Sequence, residues 1–371
     1  MTTYRIAAIA GDGVGPEVVG AARRVLDAAG AAFGFGVEWT DIAAGGNAID
    51  AYGVAIRPDD VTRAGEHDAI LLGAVGGPKW DDPTAALRPE QCLFALRGEL
   101  KLYANLRPVT VDPALVPSSP LRPELLAGVD LLIVRELTGG IYFGERQEAT
   151  GRPGELAARD TLPYSEAEIR RVVTLAFELA RARRGRLTSV DKANVLATSR
   201  LWRRVVDDLK GHHGDVEVNH QLVDSCAMML IKSPASFDVV VTENLFGDIL
   251  SDEASVLAGS LGMLPSASLG ERKTAHGTFG MYEPIHGSAP DIAGRGIANP
   301  VGTILSTAML ARWSLGREDV ASAIEAAVAA ALDAGHRTAD IAAPGPDAES
   351  TTEMTDAILA RLAPATAAVP S

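Results

Sequence analysis

The 371-residue chain reads as an α/β protein built on parallel strands. Two features of the sequence predict this. Short apolar runs of strand character recur along the chain, and amphipathic helical patterns lie between many of them. A hydrophobic content of 47% against 22% charged residues leaves enough apolar side chain for a large core. Lys and Arg number 34 against 48 Asp and Glu, a formal charge of −14, which argues against a nucleic-acid surface. The two cysteines, Cys92 and Cys226, make neither a disulfide framework nor a zinc pattern and suit a reducing compartment. The first residues lack the basic region of a signal peptide, and no apolar run is long enough for a membrane span, so a soluble, cytoplasmic protein is expected.

Taken in order, "RIAAIA" (5–10) is a buried first strand. "GDGVGPE" follows, with Gly11, Gly13 and Gly15. It approaches a dinucleotide fingerprint, but Pro16 and Glu17 stand where the third glycine belongs, and no Gly-Lys-Ser/Thr makes it a P-loop. It reads as a tight strand-to-helix turn. Pro16 suits the first turn of the helix that follows, and Val18, Val25 and Leu26 mark its apolar side. Further strands are expected at "DAILLGAVGG" (68–77), "DLLIVREL" (130–137), "RLTSVDKAN" (186–194) and "FDVVV" (237–241). "SEAEIRRVVTLAFELARARR" (165–184) and the Ala-rich stretch at 321–335 are helices. The proline-rich segment 112–123 and the polar segment 144–161 read as surface loops, and 363–371 as a loose tail.

The stretch "TENLFGDILSDEAS" (242–255) poses a chemical question. Asp248 and Asp252 are four apart, so on a helix they share a face and repel. A solvated face would tolerate them, and so would a place for Asp248 at the helix N-terminus. A divalent cation such as Mg²⁺ or Mn²⁺ would invert the repulsion. Arg97, Arg107 and Arg135 also stand out. An arginine closing a buried strand needs a partner, ordinarily one carboxylate, but three of them beside a metal site suggest a di-anionic ligand. Tyr142 follows two glycines that would bring backbone close to something. Lys192 is either a surface charge paired with adjacent Asp191 or a base in a dry site. "EPIHGSAPDIAGRGIANP" (283–300) is too irregular for a core element and reads as a binding loop with Asp291 and Asn299 as contacts.

These segments, with "LLGAVGGPKWD", "NLRP", "RELTGGIYFGE", "SVDKANVL" and "GMLPSASLG", together resemble the isocitrate/isopropylmalate dehydrogenase family, in order over roughly 4–362. The resemblance implies a two-domain, non-Rossmann α/β fold with the active site in the interdomain cleft. Residues 1–102 plus 259–371 would form a discontinuous nucleotide-binding domain, and 103–258 a substrate, metal and dimerisation domain. It implies NAD-dependent oxidative decarboxylation of 3-isopropylmalate, or the same chemistry on another 3-substituted malate, tartrate or D-malate. Carried over by position, Lys192 would be the base and Tyr142 the acid. Arg97, Arg107, Arg135, Glu90, Leu93 and Phe94 would bind substrate. Asp248 and Asp252, with Asp224 from the other subunit of a homodimer, would hold Mg²⁺ or Mn²⁺, and Lys192 would likewise serve the neighbour's site. Gly287, Ser288, Ala289, Asp291, Asn299, Glu283 and His286 would bind NAD.

Asp291 matches the family residue that bonds the adenosine ribose hydroxyls, and NADP-using members carry Lys-Tyr where this chain has Asp291-Ile292. One segment departs from the family pattern. Cys92-Leu93-Phe94 replaces the usual Gly-Leu-Leu where the C3 substituent is read, which would tighten the pocket or turn it toward a flatter group. The apolar Leu93 and Phe94 argue against a third substrate carboxylate. A non-catalytic nucleotide-binding protein on the same scaffold is the competing reading, and it would not need both Lys192 and Tyr142.

Overall fold

The computed structural model describes residues 1–82, 84–119, 121–342 and 348–363. In chain order it runs β1 (Thr2–Gly11), α1 (Gly15–Phe33), β2 (Phe35–Asp41), α2 (Gly46–Tyr52), α3 (Pro58–Gly65), β3 (Ala69–Ala74) and α4 (Gln91–Glu99). Then come β4 (Ala104–Thr110), α5 (Pro123–Leu126), β5 (Asp130–Glu136), β6 (Arg146–Thr150), β7 (Ala157–Asp160), α6 (Glu166–Ala182) and β8 (Arg186–Asp191). The rest is α7 (Ala197–Lys210), β9 (Glu217–Leu222), α8 (Val223–Lys232), β10 (Val239–Thr242), α9 (Asn244–Ser255), β11 (Pro265–Lys273), β12 (Thr278–Pro284), α10 (Val301–Trp313), α11 (Glu318–Asp333) and α12 (Thr351–Leu359).

The chain forms two compact units. The first comprises Met1–Leu102, Asp112–Pro120 and Ala258–Ser371, and the second Tyr103–Val111 and Leu121–Leu257. In the first unit the strand order is β2-β1-β3-β12-β11. β1 pairs in parallel with β2 and β3, and β11 pairs antiparallel with β12 because a short turn joins them. β3 is buried along its whole length, as a strand covered on both faces must be. The turn after β1 needs its glycines. Gly11 and Gly13 have positive φ, and a Cβ on Gly13 would sit 2.0 Å from the Ser288 carbonyl oxygen.

The second unit has the order β4-β5-β10-β8-β9. β4 is antiparallel to β5, and the pairs β5–β10, β10–β8 and β8–β9 are parallel. The register puts Arg135, Thr242 and Val190 in one row. The residues that follow each strand therefore emerge at one edge, the carboxyl edge where α/β sheets place their chemistry. Tyr142, α9, Lys192 and Asp224 all follow strands that end there.

Two segments expected to be loops are ordered. Residues 144–161 contain the antiparallel pair β6–β7, with Arg146 opposite Asp160 and Thr150 opposite Ala157. Every residue of both strands is exposed, so no apolar alternation betrayed them. Within 112–123, Pro113–Ser118 forms a 3₁₀ turn capped by the Asp112 carboxylate, with Leu115 buried. The expected helices are present, α6 with a Ser165/Glu168 capping box. Of the expected tail, 364–371 lies outside the described residues.

Candidate active site

The first residue of α9, Asn244, lies two positions beyond the end of β10, and the preceding Glu243 caps the helix by accepting from the Leu245 and Phe246 amides. Asp248 is therefore not the helix's terminal carboxylate. It sits a turn inside, and Arg135 approaches it from the end of β5. The Arg135 side chain is 6% exposed. Its Nη1 donates to Asp248 Oδ1, while Nε and Nη2 donate to Asn244 Oδ1 at 3.0 and 2.7 Å. Gly247 makes the approach possible, since a Cβ there would lie 2.5 Å from Arg135 Cγ.

Arg107, on β4, takes the next turn of the helix. Its Nη1 donates to Ser251 Oγ at 2.6 Å and to Asp252 Oδ1 at 3.1 Å, and its Nε to Asn105 Oδ1 at 2.8 Å. Asp248 and Asp252 thus tolerate each other because two guanidinium groups face them. Both partners come from distant strands, which the local sequence does not disclose.

Tyr142 completes this group. Its hydroxyl donates to Asp248 Oδ2 at 2.9 Å, and Arg135 lies 5.7 Å from the centre of its ring. Burial, reinforced by the bond to Asp248, pushes the phenol up to about 12, so it is a proton donor at neutral pH. Lys192 pairs not with Asp191 but with Asp224, Nζ to Oδ1 at 2.5 Å. Asp191 is buried and turned to Arg203 and the Ala193 amide. The hydrogen bond from Lys192 holds the Asp224 carboxyl below the usual range.

In the first unit, Arg97 on α4 is bonded to Glu283 at 2.6 Å, both side chains being largely buried. Glu90 precedes α4 and is exposed. Leu93 packs against the core, while Phe94 is 40% exposed. Cys92 is fully buried with Leu96 in the core against which Leu93 also packs, and burial pushes its thiol up to about 12.

The loop after β12 docks on the first turn, where the Val14 amide donates to the Ser288 carbonyl at 2.9 Å. Ser288 is buried, Ala289 has a positive φ of 39°, and Gly287 and Asp291 are exposed. Burial lowers the pKa of His286, whose Nδ1 faces the Gly287 carbonyl oxygen at 2.8 Å. Asn299 donates to Asp340 at 3.0 Å and accepts from the Val301 amide. Sequence reasoning passed over Asp12. This buried carboxylate accepts from the Gly46, Asn47 and Gly76 amides and so ties two loops to the end of β1. Its position between two glycines in "GDG" was the available signal. Asn244 and Ser251 were also missed, although an asparagine opening a helix directly after a strand is a cue to a polar contact.

Residues 5–358 match the family profile described as isocitrate/isopropylmalate dehydrogenase. The chain belongs to that family. It is an enzyme's fold and carries an enzyme's acid and base candidates, not the bare binding surface of the competing reading. Among relatives of the isocitrate/isopropylmalate dehydrogenase family, the 3-isopropylmalate dehydrogenase of Anaeromyxobacter dehalogenans (strain 2CP-C) is 55% identical, over 97% of this chain and 99% of its own. That of Moorella thermoacetica is 54% identical, over 95% and 97%. The crystal structure of isocitrate dehydrogenase from Methylococcus capsulatus matches with a TM-score of 0.84 at 33% identity, over 97% of this chain and 99% of that one.

Proposed function

We propose that this chain catalyses the NAD-dependent oxidative decarboxylation of (2R,3S)-3-isopropylmalate to 4-methyl-2-oxopentanoate and CO₂, a step of leucine biosynthesis. The observation that carries the reading is the group on α9. Two arginines, a protonated tyrosine and two carboxylates converge, in a chain that is 55% identical to a 3-isopropylmalate dehydrogenase. The donor set suits a hard cation, because Asp248 and Asp252 offer only oxygen and their side chains are 37% and 67% exposed. Among the described residues no three His, Cys, Asp or Glu side chains of one chain converge. The proposal takes the third carboxylate, Asp224, from a second copy. Self-association is favoured by Met228 and Ile231 on α8 and Ile249 on α9, which are 65%, 54% and 57% exposed. The exposed hairpin β6–β7 favours it too, being marginal without further strands. No described helix is long and apolar enough to cross a membrane, and the proposal places the enzyme in the cytoplasm.

When bound, Mg²⁺ or Mn²⁺ would polarise the C2 oxygen and NAD would accept the C2 hydride. Arg97, Arg107 and Arg135 would hold the substrate carboxylates through their planar forks. With Asp224 committed to the cation, Lys192 Nζ, as the free amine, would take the proton of the C2 hydroxyl. Loss of CO₂ leaves its bonding electrons on the carbon skeleton as an enolate, and Tyr142 Oη would return a proton to C3. Leu93 and Phe94 would receive the C3 substituent. Asp291 would bond the adenosine ribose, with Gly287, Ser288, Ala289, Asn299, Glu283 and His286 around the nucleotide.

The test is kcat/KM for malate, ethylmalate, isopropylmalate and benzylmalate, followed by NADH absorbance. Isopropylmalate should be best. Malate should lose roughly 2 kcal/mol of transition-state binding, at about 0.8 kcal/mol per buried carbon. A win for malate or benzylmalate would overturn the substrate, and no turnover of any would overturn the reaction.

A further inference from the structure

Glu136 follows Arg135, is fully buried, and has no part in the chemistry proposed above. Its Oε1 accepts from the Thr138 amide and the Thr138 hydroxyl, both at 3.0 Å, and from Arg171 at 3.4 Å. Its Oε2 accepts from the Gly139 amide at 2.8 Å and from the Tyr164 hydroxyl at 3.1 Å. The same Tyr164 oxygen accepts from the Asn244 amide, the first of α9, at 3.0 Å. Asn244 closes the circuit. Its side-chain amide donates to the Gly139 carbonyl at 3.0 Å, and its Oδ1 holds Arg135.

The Tyr164 ring lies directly on the turn that carries Tyr142. A Cβ on Gly139 would come within 2.8 Å of the ring, and one on Gly140, where φ is +75°, within 2.6 Å of its hydroxyl oxygen. Both glycines are therefore required by one side chain. Burial raises the Tyr164 phenol far above its ordinary value, so it stays a donor to Glu136.

We propose that Glu136 and Tyr164 are positioning residues that lock the 138–142 turn to the start of α9, and so give Tyr142, Arg135 and Asp248 one shared geometry. The inference rests on the roles proposed above for those three. Neither residue donates or accepts a proton in the reaction. Glu136 gathers the turn's amides, Tyr164 bridges it to the helix, and Asn244 passes the same constraint to the Arg135 guanidinium.

The test is Tyr164→Phe, which keeps the ring over the turn and against Trp202, 5.9 Å away, and removes only the hydroxyl. A misplacement of about 1 Å should lower kcat on the order of 10²-fold, with KM for NAD unchanged. In a Tyr142→Phe background the same substitution should cost less than it does alone, because part of its effect runs through Tyr142 and residues that act through one another are not additive. Amide exchange in 138–142 and 244–247 should quicken together by about tenfold, with the rest of the second unit unaffected.

Thr138→Val should reproduce these effects and Thr138→Ser should not, which keeps the inference testable if Tyr164→Phe fails to fold. Full multiplicative losses in the double variant, or exchange that rises uniformly across the unit, would overturn it. The exchange pattern decides the point even if the wild-type protein turns over no alkylmalate, a result that would defeat only the proposed reaction.

Discussion

Replacing Gly247 by alanine sets two known effects against each other. Alanine in a helix interior is favoured over glycine by about 1 kcal/mol. The added Cβ, however, would sit 2.5 Å from Arg135 Cγ and 2.7 Å from Arg135 Cβ. Neither atom can swing away, because the guanidinium is held by Asn244 and Asp248 and the side chain is 6% exposed. Relieving the contact requires a shift of about 1 Å, and overpacking of this kind costs about 1–3 kcal/mol. The net change is a destabilisation of about 0–2 kcal/mol in urea unfolding. The effect on activity should be larger. On the substrate-holding role proposed for Arg135, a 1 Å error there costs about 10²-fold in kcat/KM, or about 2.7 kcal/mol of transition-state binding. Gly20 on α1 is the control, with nothing within 4 Å of its would-be Cβ, so Gly20→Ala should stabilise by up to about 1 kcal/mol and leave turnover alone. A Gly247→Ala enzyme within twofold of wild type would refute the close packing of α9 on Arg135.

Lys192→Met should abolish oxidation, whereas Tyr142→Phe should slow turnover by roughly 10²–10⁴-fold, and near-normal rates in either would reassign the base or the acid. On the proposed sharing of Lys192 and Asp224 between subunits, mixing inactive Lys192→Met and Asp248→Asn chains should restore activity, because one site of the mixed dimer then collects both lesions and the other neither. Verified mixed dimers without activity would mean that each site is built within one chain. Asp291 should repel a 2′-phosphate, so kcat/KM should strongly favour NAD over NADP, and parity would count against its role. Cys92 and Cys226 are both fully buried, with thiols pushed up to about 12. Neither should react with a thiol reagent at neutral pH until denaturant is added, and stoichiometric labelling of the native protein would contradict the placement of Cys92 in the core.

Strands β1, β3, β5, β8 and β10 were legible from their apolar runs, β3 and β5 above all, whereas β2, β4, β9, β11 and β12 were not expected. The hairpin β6–β7 was not, since a strand exposed on both faces has no apolar period to read. The direction of Cys92 was hidden for a related reason. α4 spans only nine residues, too few turns for the sequence to fix which face meets the core. In the site, Asp248 and Asp252 announced themselves by their mutual repulsion. Their arginine partners lie 113 and 145 residues away, a separation that no local pattern spans. Asp12 was obscured because its partners are backbone amides, which every residue has and no sequence displays, and Glu136 because its side-chain donors Tyr164 and Arg171 lie 28 and 35 residues away.

The two faces of α4 have different fates under mutation. Cys92 and Leu96 are fixed by the packing around them, so a change there is felt by the whole core. Phe94, on the same short helix, stands 40% exposed, so its replacement takes less buried surface from the fold than a change at Cys92 or Leu96. On the proposed substrate assignment, this cheaply altered position is one that meets the C3 side group. The turn that carries Tyr142, by contrast, is pinned by its glycine contacts with Tyr164 and by the buried Glu136 carboxylate, which leave little room for variation. Descendants of this enzyme could therefore acquire new side-group preferences through position 94 while inheriting the catalyst unaltered.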